Sequence, residues 1–154
     1  MQKSLDEVTD ALLGASRALV AIAARSLAEV GDEVTLPQYR TLVVLSSRGP
    51  QTLQGLADEL EVAPSTATRM CDRLVAKGLL QRDTAPDSRR EVRLSVTSAG
   101  DDVVDRVTRR RRADLQRIVG RLRNDQRAAV TAALHAFAEA AGEVPEQDWS
   151  RGWR

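Results

Sequence analysis

Between residues 64 and 93 the chain gathers side chains that can hydrogen-bond to a polyanion. The segment Pro64-Ser65-Thr66-Ala67-Thr68-Arg69-Met70-Cys71-Asp72-Arg73-Leu74 carries two kinds of residue at helical spacing. Ala67, Met70, Cys71 and Leu74 fall on one face, and Ser65, Thr66, Thr68, Arg69, Asp72 and Arg73 on the other. Hydroxyls donate to and accept from base edges, and a guanidinium can hold guanine through two parallel hydrogen bonds. The start of such a helix adds partial positive charge suited to a phosphate. Two more arginines, Arg89 and Arg90, follow the turn-rich stretch Thr84-Ala85-Pro86-Asp87-Ser88. Asp87 precedes them by two and three residues.

The charge balance conceals this segment. Over 154 residues, 23 basic side chains meet 22 acidic ones, for a net charge of +1. Residues 64–93 hold seven basic and four acidic side chains, a net of +3, whereas residues 1–63 hold five and nine, a net of −4. The remaining residues, 94–154, hold eleven and nine, a net of +2. The polarity along the chain suits a modest phosphate footprint, with binding that depends on salt.

Other chemistries find little material. One histidine, His135, and one cysteine, Cys71, leave no metal cluster and no Ser/His/Asp arrangement to assemble. Glycines are scattered singly, so no phosphate-cradling loop is present. We therefore expect no enzyme, no metal and no cofactor. No run of about 18 uncharged apolar residues occurs, and Met1-Gln2-Lys3-Ser4-Leu5-Asp6-Glu7 is acidic where a signal peptide needs an apolar core. The expectation is a cytoplasmic protein with no membrane partner, and a lone cysteine fits a reducing compartment.

The elements that must position these groups can be read from periodicity and caps. Ser4 with Glu7 forms a capping box at the head of a long helix that Gly31 ends. A second helix starts at the Thr35 cap with Pro37 in its first turn and stops at Gly49-Pro50. A third spans about Leu53 to Leu60, Glu61-Val62-Ala63 is a turn, and a fourth runs from Pro64 to about Lys77, closed by Gly78. Leu79–Asp83 and Val92–Val96 read as two strands of a hairpin with a polar tip. Thr97 caps a long fifth helix, and Asn124 is expected to cap a sixth with a small-residue seam from Ala128 to Phe137.

The fold class is therefore mainly α with a small β-wing, in a single domain over 1–154. Residues 33–97 form a winged helix-turn-helix, 4–31 and 98–141 form dimerisation helices, and 142–154 is a tail. The first helix has more apolar face than one small domain can cover, which suggests a second copy of the chain. In a winged helix-turn-helix the second helix of the turn enters the major groove and the hairpin reaches the adjacent minor groove.

Four other features have plain readings. Cys71 sits on the inward face with no resolving cysteine in the chain, and reads as a buried structural residue. His135 reads as a packing or surface histidine. Arg109-Arg110-Arg111-Arg112 wraps right round its helix and reads as solvated, balancing Asp101, Asp102 and Asp105. Trp149 and Trp153 fall in a tail without period and read as a frayed terminus.

Several motifs together resemble the MarR family of bacterial transcriptional regulators. They are Thr35-Leu36-Pro37-Gln38-Tyr39, Leu56-Ala57-Asp58-Glu59-Leu60, the Pro64–Leu74 segment and Gly78-Leu79-Leu80. The wing Asp87-Ser88-Arg89-Arg90, leading to Val96-Thr97-Ser98-Ala99-Gly100, is similar to that family's Asp-x-Arg wing followed by Leu-Thr-x-x-Gly. The resemblance implies a homodimer built from the first and last two helices, with a wing arginine in each minor groove. It also implies control by a small ligand or by oxidation, through the spacing of the two reading helices. The wing is about one residue longer than the commonest form, so Arg89 and Arg90 both stand as the minor-groove residue, with Asp87 orienting that arginine rather than touching DNA, since a carboxylate beside phosphate is repelled.

The expected function is a repressor-type DNA-binding regulator acting on double-stranded, pseudo-palindromic DNA. Two alternatives stand beside it: a winged-helix dimer used as a protein-interaction module, and a cysteine-based redox-sensing regulator. An effector pocket is expected between the dimer helices and the winged domain, where Tyr39 is the one aromatic residue.

Overall fold

The computed structural model describes residues 4–84 and 91–149. Its elements follow in the order α1 (Leu5–Leu27), a 3₁₀ turn (Ala28–Glu33), α2 (Leu36–Arg48), β1 (Gln51–Thr52), α3 (Leu53–Leu60) and α4 (Pro64–Ala76). Then come β2 (Leu80–Thr84), β3 (Val92–Val96), α5 (Ser98–Val119), α6 (Asn124–Ala140) and a 3₁₀ turn (Glu146–Asp148). The strands form an antiparallel sheet in the order β1-β3-β2.

Local chemistry sets the boundaries. At α1 the Ser4 amide donates to Glu7 Oε2 and the Glu7 amide to Ser4 Oγ, both at 3.1 Å. Thr35 and Gln38 repeat the box at α2, at 3.0 and 3.4 Å. Each box satisfies two amides that the first helical turn leaves unpaired. Gly31 (φ 54, ψ −128) kinks the chain within the Ala28–Glu33 3₁₀ segment, in a conformation closed to most side chains. At α6 the cap is Arg123 rather than Asn124: the Arg123 amide donates to Gln126 Oε1 at 3.0 Å, and Asn124 is the first helical residue.

The core lies where α2, α3, α4 and α5 meet the sheet. Leu42, Leu45, Leu56, Leu74, Leu80, Val103, Val104 and Val107 are all fully buried there. Burying one such side chain contributes roughly 1.5–3 kcal/mol. Strand β1 was invisible to alternation because it is two residues long. It pairs Gln51 with Leu94 and Thr52 with Arg93, so the wing is rooted on the turn before α3.

The root of the wing is also fixed by one close approach. The Leu79 carbonyl accepts the Thr97 amide at 3.1 Å, and Thr97 Oγ1 donates to the Gly78 carbonyl at 2.6 Å. Thr97 Oγ1 in turn accepts the Gly100 amide at 3.2 Å and caps α5. A Cβ on Gly100 would stand 2.3 Å from the Leu79 carbonyl oxygen and 2.6 Å from Val96 Cγ2. This is the physical content of the Thr-x-x-Gly pattern. Gly100→Ala is expected to cost about 1–3 kcal/mol, because a backbone oxygen must move. Thermal unfolding checks it; an unchanged midpoint would contradict the close approach.

The long helices carry apolar side chains that the other described residues leave exposed. Leu5, Val8, Leu13, Leu19 and Val20 of α1, Ile118 and Val119 of α5, and Val130, Leu134 and Phe137 of α6 are exposed. By length and composition the helical stretch Leu5–Glu33, α1 with the 3₁₀ turn that follows it, is apolar enough to cross a membrane, with a mean hydropathy of 1.4. The absence of a fully uncharged run therefore understates its apolarity. One face is nonetheless committed to α5: Ile22 and Ser26 are buried, and Arg25 Nε lies 3.7 Å from Asp114 Oδ2.

The segment beyond α6 corrects the reading of a frayed tail. Trp149 is half-buried against the core, and its ring N–H donates to the Val144 carbonyl at 3.1 Å. Trp153 lies outside the described residues.

Candidate nucleic-acid interface

The helix-turn-helix is built by α3, a tight turn and α4. Thr52 caps α3 by accepting the Gly55 amide at 3.1 Å. Glu61 ends α3 in the left-handed region (φ 54, ψ 43), and the Val62 amide reaches back to the Ala57 carbonyl at 3.0 Å. Pro64 then occupies the first turn of α4, where its missing N–H costs nothing. This geometry fits a whole change of helix direction into Glu61-Val62-Ala63.

Helix α4 divides as its sequence predicts. Ala67, Met70, Cys71 and Leu74 are buried, and Ser65, Thr66, Arg69 and Arg73 are exposed. Among the described residues neither Arg69 nor Arg73 forms an ion pair, so both guanidinium groups present their full donor sets to solvent. Thr68 differs: it is half-buried, and its hydroxyl donates to the Pro64 carbonyl at 2.9 Å. Its proton is used within the helix, leaving the oxygen as an acceptor. Asp72, the one carboxylate on the exposed face of α4, is neutralised by Arg82 of β2. That pair removes a repulsive charge from the face and ties the reading helix to the wing.

The wing ladder is continuous from Leu80 opposite Val96 to Thr84 opposite Val92. Asp83 near its end accepts from Ser95 Oγ at 2.6 Å. Asp87, Arg89 and Arg90 lie outside the described residues, so their roles stand on the sequence alone.

Cys71 is 1% exposed, and burial pushes its thiol up to about 11, against a smaller lowering by Arg82. The thiolate is the reactive form, so this cysteine is inert near neutral pH. His135 is exposed on α6. Among the described residues no cluster of His, Cys, Asp and Glu could hold a metal ion.

Tyr39, the expected pocket aromatic, is not among the residues that line the groove along α5. It lies in the core, 5% exposed, with the Arg111 guanidinium 5.5 Å above its ring. A groove of about 280 Å³ runs along α5, lined by Thr108, Arg111, Arg112, Leu115, Val119 and Glu146 among others. The arginine run is likewise less idle than its wrap-around spacing suggested. Arg110 reaches Glu29 at 2.8 Å, Arg112 reaches Glu146 at 3.2 Å, and Arg111 covers Tyr39. Residues on different sides of α5 thus hold three different parts of the chain.

Sequence reasoning missed Asp114, whose side chain is 1% exposed between Arg110, Arg117 and Arg25. Burial alone would raise its pKa, but hydrogen bonds and charge from Arg117 and Arg110 outweigh it and hold the carboxyl below its ordinary value. The signal was present as Arg110 and Arg117 at i−4 and i+3 from Asp114, one helical face apart from the solvent.

Three helices closed by a three-stranded sheet, with an open hydroxyl-and-arginine face on α4 beside a projecting hairpin, define a winged helix-turn-helix protein. A family model described as the MarR family matches residues 34–92. The chain belongs to the MarR family and is a transcriptional regulator of the helix-turn-helix type. It is 34% identical over 122 residues to the HTH-type transcriptional repressor MdtR of Bacillus subtilis, which covers 77% of each chain. It is 30% identical to the HTH-type regulator ML2140 of Mycobacterium leprae, over 73% of this chain and 78% of that one. Among solved structures, RV1404 of Mycobacterium tuberculosis is 48% identical, covers 94% of this chain and 99% of its own, and superposes with a TM-score of 0.85.

Proposed function

We propose that this protein is a cytoplasmic, non-enzymatic repressor that binds a pseudo-palindromic duplex as a homodimer, under the control of a small molecule. The observation that carries the reading is the outer face of α4, where Ser65, Thr66, Arg69 and Arg73 are exposed and the two arginines form no ion pair among the described residues. Two copies of α4 would enter successive major grooves about one helical turn apart. Arg69 and Arg73 would meet bases and phosphates, Ser65, Thr66 and Thr68 would fix register, and Arg89 or Arg90 would enter the minor groove.

The dimer reading is supported by the uncovered apolar faces of α1, α5 and α6. It assigns the apolar surface of α1 to a second protein chain rather than to lipid. The groove along α5, between basic and apolar side chains, supports a small-molecule effector. The buried, high-pKa Cys71 weighs against the redox alternative.

The test is duplex binding at several salt concentrations, with the Arg89→Ala/Arg90→Ala variant beside the parent. One phosphate-neutralising arginine lost per protomer is expected to reduce the slope of log K against log salt by about 2. The dimer should persist. An unchanged slope refutes the wing assignment, and no salt-sensitive binding by the parent would leave the protein-interaction module as the better reading.

A further inference from the structure

Helix α6 buries none of its residues within its own chain. The chain is nevertheless brought back at the far end of that helix. Gly142 (φ 72) turns the backbone, and 142–149 then lie against α2 and α5. Arg48 Nη2 of α2 donates to the Gly142 carbonyl at 2.7 Å, and the same guanidinium pairs with Glu59 of α3 at 2.8 Å. Arg40 of α2 holds Glu143 at 2.8 Å, and Arg112 of α5 holds Glu146 at 3.2 Å. Trp149 closes the segment by packing on the core.

We propose that residues 142–149 form an intramolecular strap that fixes the DNA-reading head relative to α6, and so sets the separation of the two reading helices in the dimer. The proposal rests on the dimeric reading given above. The head comprises α2, α3 and α4, and α6 joins it covalently only through α5. A helix attached at one end can pivot; the strap supplies the second attachment. Arg48 is the central contact, because it grips the strap backbone and the first helix of the helix-turn-helix at once. The ion pairs are partly exposed and individually weak. Trp149 provides the apolar burial that seats them. Such a segment sits at the less stable end of the fold and can release without unfolding the core.

The strap is tested in the full chain with Trp149→Ala, with Glu143→Arg, and with the reciprocal pair Arg40→Glu/Glu143→Arg. Each is measured on a palindromic duplex selected with the parent protein, on versions with one base pair inserted or deleted between half-sites, and on unrelated DNA. Trp149→Ala is expected to lower affinity for the correctly spaced duplex about tenfold, as when only a tenth of the molecules hold the competent geometry. Affinity for mis-spaced and unrelated duplexes should stay as it was, so spacing discrimination falls. Glu143→Arg should act in the same direction, and the reciprocal pair should restore discrimination.

Undiminished discrimination in both single variants overturns the strap, as does an equal loss on every duplex, which would show only a weakened fold. If Trp149→Ala does not fold, Glu143→Arg and its rescue decide the matter. A monomeric parent by light scattering would refute the dimer reading instead. The strap is then judged by hydrogen exchange in α2 and α3, which should quicken when Trp149 is removed; unchanged protection overturns it.

Discussion

Arg69→Ala combined with Arg73→Ala is expected to lower affinity for a cognate duplex by on the order of 10²- to 10⁴-fold while leaving fold and dimer unchanged. Counting one arginine contact to a base edge per protomer, worth about 1–3 kcal/mol, a two-fold dimer loses about 2–6 kcal/mol in all. Each 1.4 kcal/mol is a factor of ten in binding. The fold should not respond, since both side chains are exposed, lie opposite the buried Ala67, Met70, Cys71 and Leu74, and form no ion pair among the described residues. The single variants separate the two kinds of contact. An arginine that reads a base relaxes preference at one position of the site, whereas one that holds a phosphate weakens all sequences alike. Fluorescence anisotropy on cognate and scrambled duplexes makes the measurement, with circular dichroism as the control. A loss of less than threefold would mean that α4 does not face DNA.

The contrast between α4 and the wing tip shows what the sequence could reveal. Helix α4 was legible because its two faces are coded by residues three and four apart, so the side chains that bury and those that project alternate locally. The same holds for Ser4 with Glu7 and Thr35 with Gln38, whose caps close within four residues. Features that depend on distant partners were not legible. Strand β1 exists because Gln51 and Thr52 find Leu94 and Arg93 some forty residues on. The strap has no period because it is held from outside, by Arg40, Arg48 and Arg112.

Long-range partners also changed the meaning of residues that were noticed. Tyr39 was noticed for its place between helices, and Arg111, 72 positions later, lies over its ring. The arginine run suggested balance with nearby aspartates. Arg110 does pair with Asp114 one turn on, but Arg110 and Arg112 also reach Glu29 and Glu146, contacts that helical spacing cannot encode. In each case the residue type was informative and the partner was not, because charge pairs and cation–ring contacts depend on how elements pack.

Leu134→Asp combined with Phe137→Asp is expected to convert the protein to a monomer at micromolar concentration and to reduce cognate duplex affinity by about 10²-fold or more. Leu134 and Phe137 are 45% and 51% exposed in the single chain, on a helix that buries nothing of its own. Helices in proteins draw most of their stability from packing an apolar face, and the apolar face of α6 is left for a surface outside the chain. If that surface is the second copy, each apolar side chain contributes roughly 1.5–3 kcal/mol on burial, and symmetry counts it twice. Two carboxylates per protomer would meet their equivalents in a desolvated seam, a cost no repacking removes. The loss of DNA affinity follows from linkage of two half-sites: a dimer engages the second half-site at high effective concentration, and a monomer does not. Light scattering and anisotropy on full and half-site duplexes measure both steps. A dimer that persists with unchanged affinity would place the interface elsewhere. Loss of the dimer with full affinity retained would show that one reading head suffices, and would remove the palindromic site from the mechanism.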